Sequence, residues 1–478
     1  MKQYDDYQVV AQKWVDEIPE HWDFYRIKRI FAQRVEKNDP VITENILSLT
    51  AKQGVVPIAE KEGAGGNKPK GDMTQYNVAR PDDLLVNCMN IVSGSAGVSR
   101  YFGAISPVYY ALYPRLDCNV WYYHYLFRLM PFQRSLLGLG KGILMHESDS
   151  GKLNTVRMRI SMDYLGNVPL PVPPRTEQDQ IVRYLDWQVS KVNRLIAAKK
   201  KQIELLKEQK QVRIDDTCFS SALRDSTYST EWGRSIPVGW DTVKLNGAFS
   251  FGKGLQITKA NLTSDGIPVI SYGQVHAKTN TGTSISDELI RFVAEEYLSS
   301  SPSALVNVGD YIFADTSEDF AGVGNCVYVD KEGPLFAGYH TIIIRPTDCR
   351  TSRYTAYLFK TTTWRYQLQK RVNGVKVFSV TQKILKDAYI LIPPKEEQER
   401  IVRELDNYCN AIDLAITSVT RQIETLVLFR TRLIFDVVTG QIDVRDVEIP
   451  DFEYISETDD NGEDVDEEES DDMAEEEV

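Results

Sequence analysis

The sequence predicts an α+β protein: two mixed α/β globular heads spaced by a long coiled coil of two helices. Three observations predict it. A short frame occurs twice, each copy ends in a long apolar stripe, and the inserts between the frame motifs are rich in short Val/Ile/Tyr runs. At 478 residues the chain exceeds one ordinary core and fits two or three domains of roughly 100–200 residues.

The duplication is read from two motifs. Ile18-Pro19-Glu20-His21-Trp22 recurs as Ile236-Pro237-Val238-Gly239-Trp240 at an offset of 218. The segment from Pro173 to Asp186, with Glu177, Gln178, Ile181, Val182, Arg183 and Leu185, recurs from Pro393 to Asp406 at an offset of 220, and nine of its 14 positions are identical. Two motifs matched at nearly one offset mark a repeated unit.

Each PPxxEQ opens a helix. Proline is tolerated at a helix start, and Glu177 and Glu397 place negative charge near the first turn. Apolar positions then alternate at spacings of three and four. The first seam is Val182, Leu185, Val189, Val192, Ile196, Ile203 and Leu206, interrupted by Lys199. The second is Val402, Leu405, Cys409, Ile412, Ile416, Val419, Ile423 and Leu426. A single stripe of this kind usually marks a core helix, but two matched stripes predict pairing into a long coiled coil. The expected partners of Val182 to Ile196 are Val402, Leu405, Ile412, Ile416, Val419 and Ile423.

The inserts differ greatly from one another in sequence. Strands are expected at Ile267–Tyr272, Gly309–Ala314 and His340–Ile344, and matching amphipathic helices at Tyr122–Arg128 and Tyr354–Lys360. The loops 63–71 and 278–283 are expected to be exposed. The domain plan is therefore an N-terminal extension over 1–17, a first head over 18–175 and a helix over 176–225. A second head with its linker covers 226–395, a second helix covers 396–445, and an acidic tail covers 446–478.

Charge follows the same division. The net charge of −13 resides in the tail, where residues 446–478 hold 18 Asp and Glu and no Lys or Arg. The body 1–445 carries 55 basic against 50 acidic residues, so it can meet a polyanion. Six scattered cysteines without a CxxC pair fit a reducing cytoplasm rather than a disulfide framework. No apolar run suits a membrane helix or signal core, so a chain that is neither membrane-spanning nor secreted is expected.

Catalytic motifs fail on inspection. Gly247 to Gly254 has the GxxxxGK spacing, but Gly254 stands where a phosphate loop needs Ser or Thr for magnesium. Phe320-Ala-Gly322-Val-Gly324 resembles the FxGxG motif of adenine methyltransferases, yet the chain's PP pairs open helices instead of forming an (N/D)PP(Y/F) loop; a hairpin turn is expected. His21, His124, His146, His276 and His340 show no metal-binding spacing, and no GxSxG occurs. His124, in an aromatic helix, is expected to be a satisfied core side chain. The sequence carries no catalytic residue set and no metal site.

The two IPxxW motifs, the two PPxxEQ-IVRxLD helices and the closing Val438-Thr439-Gly440-Gln441-Ile442-Asp443-Val444-Arg445 together resemble the specificity subunit of type I restriction-modification enzymes. The resemblance spans nearly all of 18–445. It implies two target-recognition domains separated by an antiparallel pair of helices, each domain reading one half of a split, asymmetric site in double-stranded DNA. It implies also that this chain binds no cofactor. S-adenosylmethionine, ATP and magnesium would belong to partners, namely two methyltransferase (modification) subunits and the restriction/translocase subunits. The acidic tail departs from the family pattern. A scaffold with two protein-binding heads explains the stripes and tail but not the basic residues of the heads, and a standalone methyltransferase lacks its loop.

Candidate DNA contacts follow from basic and amide side chains near turns. In the first head they are Arg100, Tyr101, Lys141, Arg157 and Arg159. In the second they are Lys253, Gln256, Gln274, Lys278, His340, Lys370, Arg371, Asn373 and Lys376. The polar helix faces, with the PPxxEQ starts, are the expected dock for methyltransferase subunits. The tail is expected to be disordered when free, acting as a solubilising extension, as a polyanion masking basic grooves, or, through Asp451–Ile455, as a dock on a partner.

Overall fold

The computed structural model describes residues 2–50, 54–61, 71–140, 159–220, 225–229, 231–347, 350, 353–374 and 377–455. They form two compact units, one of Met1–Lys201 with Thr420–Val478 and one of Gln202–Val419. Two long helices, Arg175–Thr217 and Lys395–Val438, each contribute one end to each unit. Among the described residues no helix is long and apolar enough to cross a membrane.

In unit 1 the central sheet consists of β1 (Phe31–Arg34), β2 (Leu84–Asn87), β3 (Ala96–Val98) and β4 (Tyr109–Pro114), in the order β1-β4-β2-β3. In unit 2 β5 (Phe249–Lys253), β6 (Tyr311–Ala314), β7 (Cys326–Tyr328) and β8 (Thr341–Pro346) pair in the order β5-β8-β6-β7. The order is the same, first–fourth–second–third, and every pairing is antiparallel. Each unit also repeats a two-stranded ladder that brings the strand after IPxxW beside the strand before PPxxEQ, Asp23 opposite Val172 and Asp241 opposite Ile392. The heads that differ so much in sequence thus share a topology. Unit 2 adds a five-stranded sheet absent from the matching part of unit 1's described residues.

The repeated motifs have a physical explanation in each copy. Gln178 and Gln398 are buried, and their side-chain amides donate back to the Pro173 and Pro393 carbonyls at 2.7 and 2.8 Å, satisfying acceptors that a proline-initiated helix leaves inside. Ile181, Leu185, Ile401 and Leu405 are fully buried. Asp186 accepts a hydrogen bond from Tyr125 at 2.7 Å, and Asp406 accepts one from Tyr357 at 2.5 Å. Those tyrosines lie on the matching helices Val120–Phe127 and Arg353–Lys360. On the same two helices Tyr122 donates to the carbonyl of Val438, and Tyr354 donates to that of Cys218, again 220 residues apart. In unit 1 the buried Glu177 also accepts from the Trp22 indole at 3.0 Å, from Tyr4 and from His21, which ties IPxxW to PPxxEQ.

The long helices pair antiparallel within each unit, but with partners other than those expected. In unit 1 Val182, Leu185 and Val189 share a core with Leu433, Val437 and Val438, and Arg430 donates to Asn193 at 2.6 Å. In unit 2 Leu405 and Cys409 pack with Ile214 and Cys218, Val402 lies at the edge of that core, and Lys210 pairs with Asp413 at 2.7 Å. The expected register assumed that the seams end at Leu206 and Leu426. The helices run on to Thr217 and Val438, and these last turns carry the apolar partners. Val192, Ile196, Ile412 and Val419 are buried, while Ile203, Leu206, Ile416, Ile423 and Leu426 are half-buried.

The start of the acidic tail is ordered against unit 1. Gln180 donates to the carbonyls of Val444 and Val447 at 2.9 and 2.7 Å, and Val447 and Ile449 pack on the core. Ile455 bonds Ser190 and Asn193, each at 3.0 Å. Asp451–Ile455, expected to be free or to reach a partner, instead lies along the first long helix.

Candidate nucleic-acid interface

The second head gathers its candidate residues along one edge. Lys253 ends β5 opposite Ile342, beside His340, and Ala314 at the end of β6 lies opposite Thr341. The chain then enters the short strand Thr316–Ser317, paired with Phe378–Ser379. The following turn carries Phe320 to Gly324 and is held from outside. Arg365 donates to the Ala321 carbonyl at 2.9 Å and Gln369 to the Phe320 carbonyl at 3.0 Å. That contact places the segment Lys370, Arg371 and Asn373, all exposed, beside the same edge. The short helix Tyr272–Val275 closes it, because the Tyr272 amide donates to the Tyr339 carbonyl and His276 bonds the Thr316 carbonyl at 2.7 Å.

Two side-chain amides at this edge each have one atom engaged by the local backbone. The Gln274 side chain accepts from the Ser271 amide at 3.2 Å and completes a capping box. The Gln256 side chain donates to the Gly254 carbonyl at 3.2 Å. Lys278 is exposed near the helix end. Lys376 lies outside the described residues.

In the first head Arg100 is exposed in the turn between β3 and the strand Gly103–Ile105. Its guanidinium lies over the Trp121 ring at 4.9 Å and the Tyr454 ring at 5.8 Å. Tyr101 is half-buried against the Leu47–Val55 core, its amide bonded to Ser99. Arg159 is exposed beside Tyr110 and Cys88. Lys141 and Arg157 lie outside the described residues. Two other arginines of this head are committed to carboxylates, Arg34 to Asp83 at 2.8 and 2.9 Å and Arg80 to Glu36 at 2.9 and 3.2 Å.

Sequence reasoning missed the aromatic members of the second edge. Phe320 and Tyr366 are exposed, and Tyr272 and Tyr339 flank His340 at 5.6 and 6.1 Å. FAGVG is a turn, as expected. Added side-chain atoms at Gly322 would meet Ser317 and Asp319, and Gly324 adopts φ +88°. Gly254 of the rejected phosphate loop is a close-approach glycine, with the Gly338 carbonyl 2.1 Å from where a Cβ would stand. His124 is half-buried in its aromatic helix rather than a satisfied core side chain. Its Nδ1 is buried without a partner, and burial, with Arg128 and Arg100 nearby, lowers its pKa to about 3. Lys360, buried under the second head and bonded to the Thr281 carbonyl, is likewise lowered to about 8 by burial, with Lys210 and Arg365 adding repulsion. Among the described residues no three His, Cys, Asp or Glu side chains are grouped to hold a metal.

At the helix starts Glu177, Gln178 and Gln398 are buried in their own heads, while Arg175, Thr176, Lys395 and Glu396 are exposed. The architecture is that of an α+β chain in which two heads of one central-sheet topology are built on two long helices. Residues 237–425 match the type I restriction modification DNA specificity domain, and the family resemblance read from the motifs stands. The chain is 22% identical over 284 residues to the type I restriction enzyme MjaVIII specificity subunit of Methanocaldococcus jannaschii, a match covering 59% of this chain and 64% of that protein. It is 22% identical over 300 residues to the putative type I restriction enzyme MjaX specificity subunit of the same organism, covering 60% and 62%. The chain thus spans less than two thirds of the length of these relatives. A solved chain, from work described as the structural basis of complex assembly and conformational transition of the type I R-M system, matches with a TM-score of 0.63 at 15% identity. That match covers 89% of this chain and 99% of the other, and it shows the shared fold.

Proposed function

We propose that the chain is the non-catalytic, DNA-reading subunit of a type I restriction-modification assembly, each head taking one half of a split asymmetric site. The observation that carries this reading is the frame built twice beneath two heads of one topology and different surfaces. Two unlike heads on one chain suit two unlike half-sites, where a symmetric dimer suits a palindrome. The basic body and the edge bearing Lys253, His340, Lys370, Arg371 and Asn373 support phosphate and base contacts, with Arg100, Tyr101 and Arg159 as the first head's counterparts. Methyl transfer from S-adenosylmethionine and ATP- and magnesium-dependent cleavage are assigned to two modification subunits and the restriction subunits, in the cytoplasm. The polar faces of the long helices and the exposed residues of the PPxxEQ starts, with the exposed Leu195, Leu205, Leu414 and Leu428, are the expected partner dock.

A gel shift of the full chain on duplex DNA with random competitor, repeated at rising salt, tests this. A complex whose log affinity falls linearly with log salt is expected, and Lys370→Ala and Arg371→Ala each reduce the slope by about 1. Absence of duplex binding at low salt, with or without modification subunits, would overturn the proposal in favour of a scaffold.

A further inference from the structure

We infer that His340 reads a base edge, with its donor and acceptor nitrogens fixed by Asp315; this rests on the DNA-reading function proposed above. His340 adopts φ +54°, a left-handed conformation uncommon for a residue with a side chain. The backbone holds it there. The Asp315 amide donates to the His340 carbonyl at 3.1 Å, and the Gly254 amide donates to the Thr341 carbonyl at 3.1 Å. Glycine would meet those demands without strain, and the core does not need the imidazole, whose side chain is 60% exposed. Strain retained under an exposed polar side chain points to use of that side chain.

The ring is oriented as well as exposed. Tyr272 and Tyr339 stand edge-on to it. Its Nδ1 lies 3.3 Å from Asp315 Oδ1, within ion-pair reach of a buried oxygen that has no hydrogen-bond partner. A carboxylate only accepts, so a hydrogen bond from the ring that satisfies this oxygen takes the proton on Nδ1 and leaves Nε2 of the neutral ring as an acceptor at the exposed end. Such an acceptor matches the exocyclic amino group that adenine or cytosine presents in the major groove. His276, just after the neighbouring helix Tyr272–Val275, shows the contrast. Both its ring nitrogens are occupied, one by the Thr316 carbonyl and one by Asn325 at 3.1 Å, so it is a structural residue.

Asp315→Asn tests the tautomer without truncating the reader. The amide can donate to Nδ1, moving the proton to Nε2 and turning an acceptor into a donor. His340→Gly removes the ring at a position where glycine is at ease, so it does not fail by unfolding. Both variants are expressed with the modification partners, and the methylated sites are mapped by methylome sequencing. The expected result is a wild-type split motif in which His340→Gly relaxes one position of one half-site, and Asp315→Asn changes the preferred base pair at that same position. The melting temperature of His340→Gly is expected to equal or exceed that of the wild type. An unchanged motif in both variants, or changes at different positions, would overturn the inference. A wild-type chain that directs no methylation would count instead against the DNA-reading function.

Discussion

Gly440 offers the sharpest test of how the chain closes on its first head. It lies in the closing Val438–Arg445 segment at φ +74°, with its carbonyl accepting from Tyr7 at 3.0 Å. A Cβ there would stand 2.3 Å from Pro19 Cδ, 2.5 Å from Pro19 Cγ and 3.0 Å from the Trp22 ring. Gly440→Ala therefore carries two penalties. The left-handed backbone costs about 1–2 kcal/mol for a residue with a Cβ, and overpacking against Pro19 and Trp22 adds about 1–3 kcal/mol. Together they amount to about 2–5 kcal/mol, or a fall of roughly 4–20 °C in the melting temperature at about 2–4 °C per kcal/mol for a unit of this size.

A control separates the two penalties. Gly54 in the same unit has φ +68° and nothing within 4 Å of its Cβ position, so Gly54→Ala carries only the backbone part. Pro19→Ala removes the clashing ring and should restore part of the loss in the Gly440→Ala background, a coupling of about 1 kcal/mol or more. Thermal unfolding followed by circular dichroism, with urea midpoints as a second measure, reads all four proteins. A Gly440→Ala variant no less stable than Gly54→Ala would refute the packing argument.

Two further outcomes are expected. His124 is held neutral with its pKa near 3 against 6.5 when unfolded, so the unfolded chain takes up the proton first and unit 1 loses stability as pH falls below 6.5. The loss is about 2 kcal/mol by pH 5, and His124→Leu should flatten the fall in urea midpoint between pH 7 and 5; equal slopes in both proteins would refute it. For the tail, the informative truncation falls after Ile455. It removes residues 456–478, 14 of them acidic, and keeps the docked segment. If the polyanion masks basic surfaces, non-specific DNA binding tightens at low salt and is unchanged at high salt, whereas unchanged binding at low salt leaves only a solubility role.

What was legible in the sequence was legible for a physical reason. Gln178, Leu185 and Asp186 repeat as Gln398, Leu405 and Asp406 because each has one fixed duty: to cap a proline carbonyl, to fill a core, or to accept from a tyrosine. Such duties leave little choice of side chain, so the frame appears as a motif. The strands of the heads carry no comparable constraint. Many residues suit a half-buried pleat, and the common β1-β4-β2-β3 order survives beneath sequences that do not match. A heptad stripe likewise reveals a face but not its partner, which is why Leu185 meets Val437 rather than the residues paired with it from the sequence. The candidate interface falls between these cases. Lys370 and Arg371 could be chosen from composition. The use of Gln274 as a cap depends on a neighbour three residues away, and the setting of His340 depends on Asp315, 25 residues earlier and joined to it only by the pairing of β6 with β8. Residues that meet only through a sheet register leave no spacing in the sequence, and their meeting becomes visible only when the strands are paired.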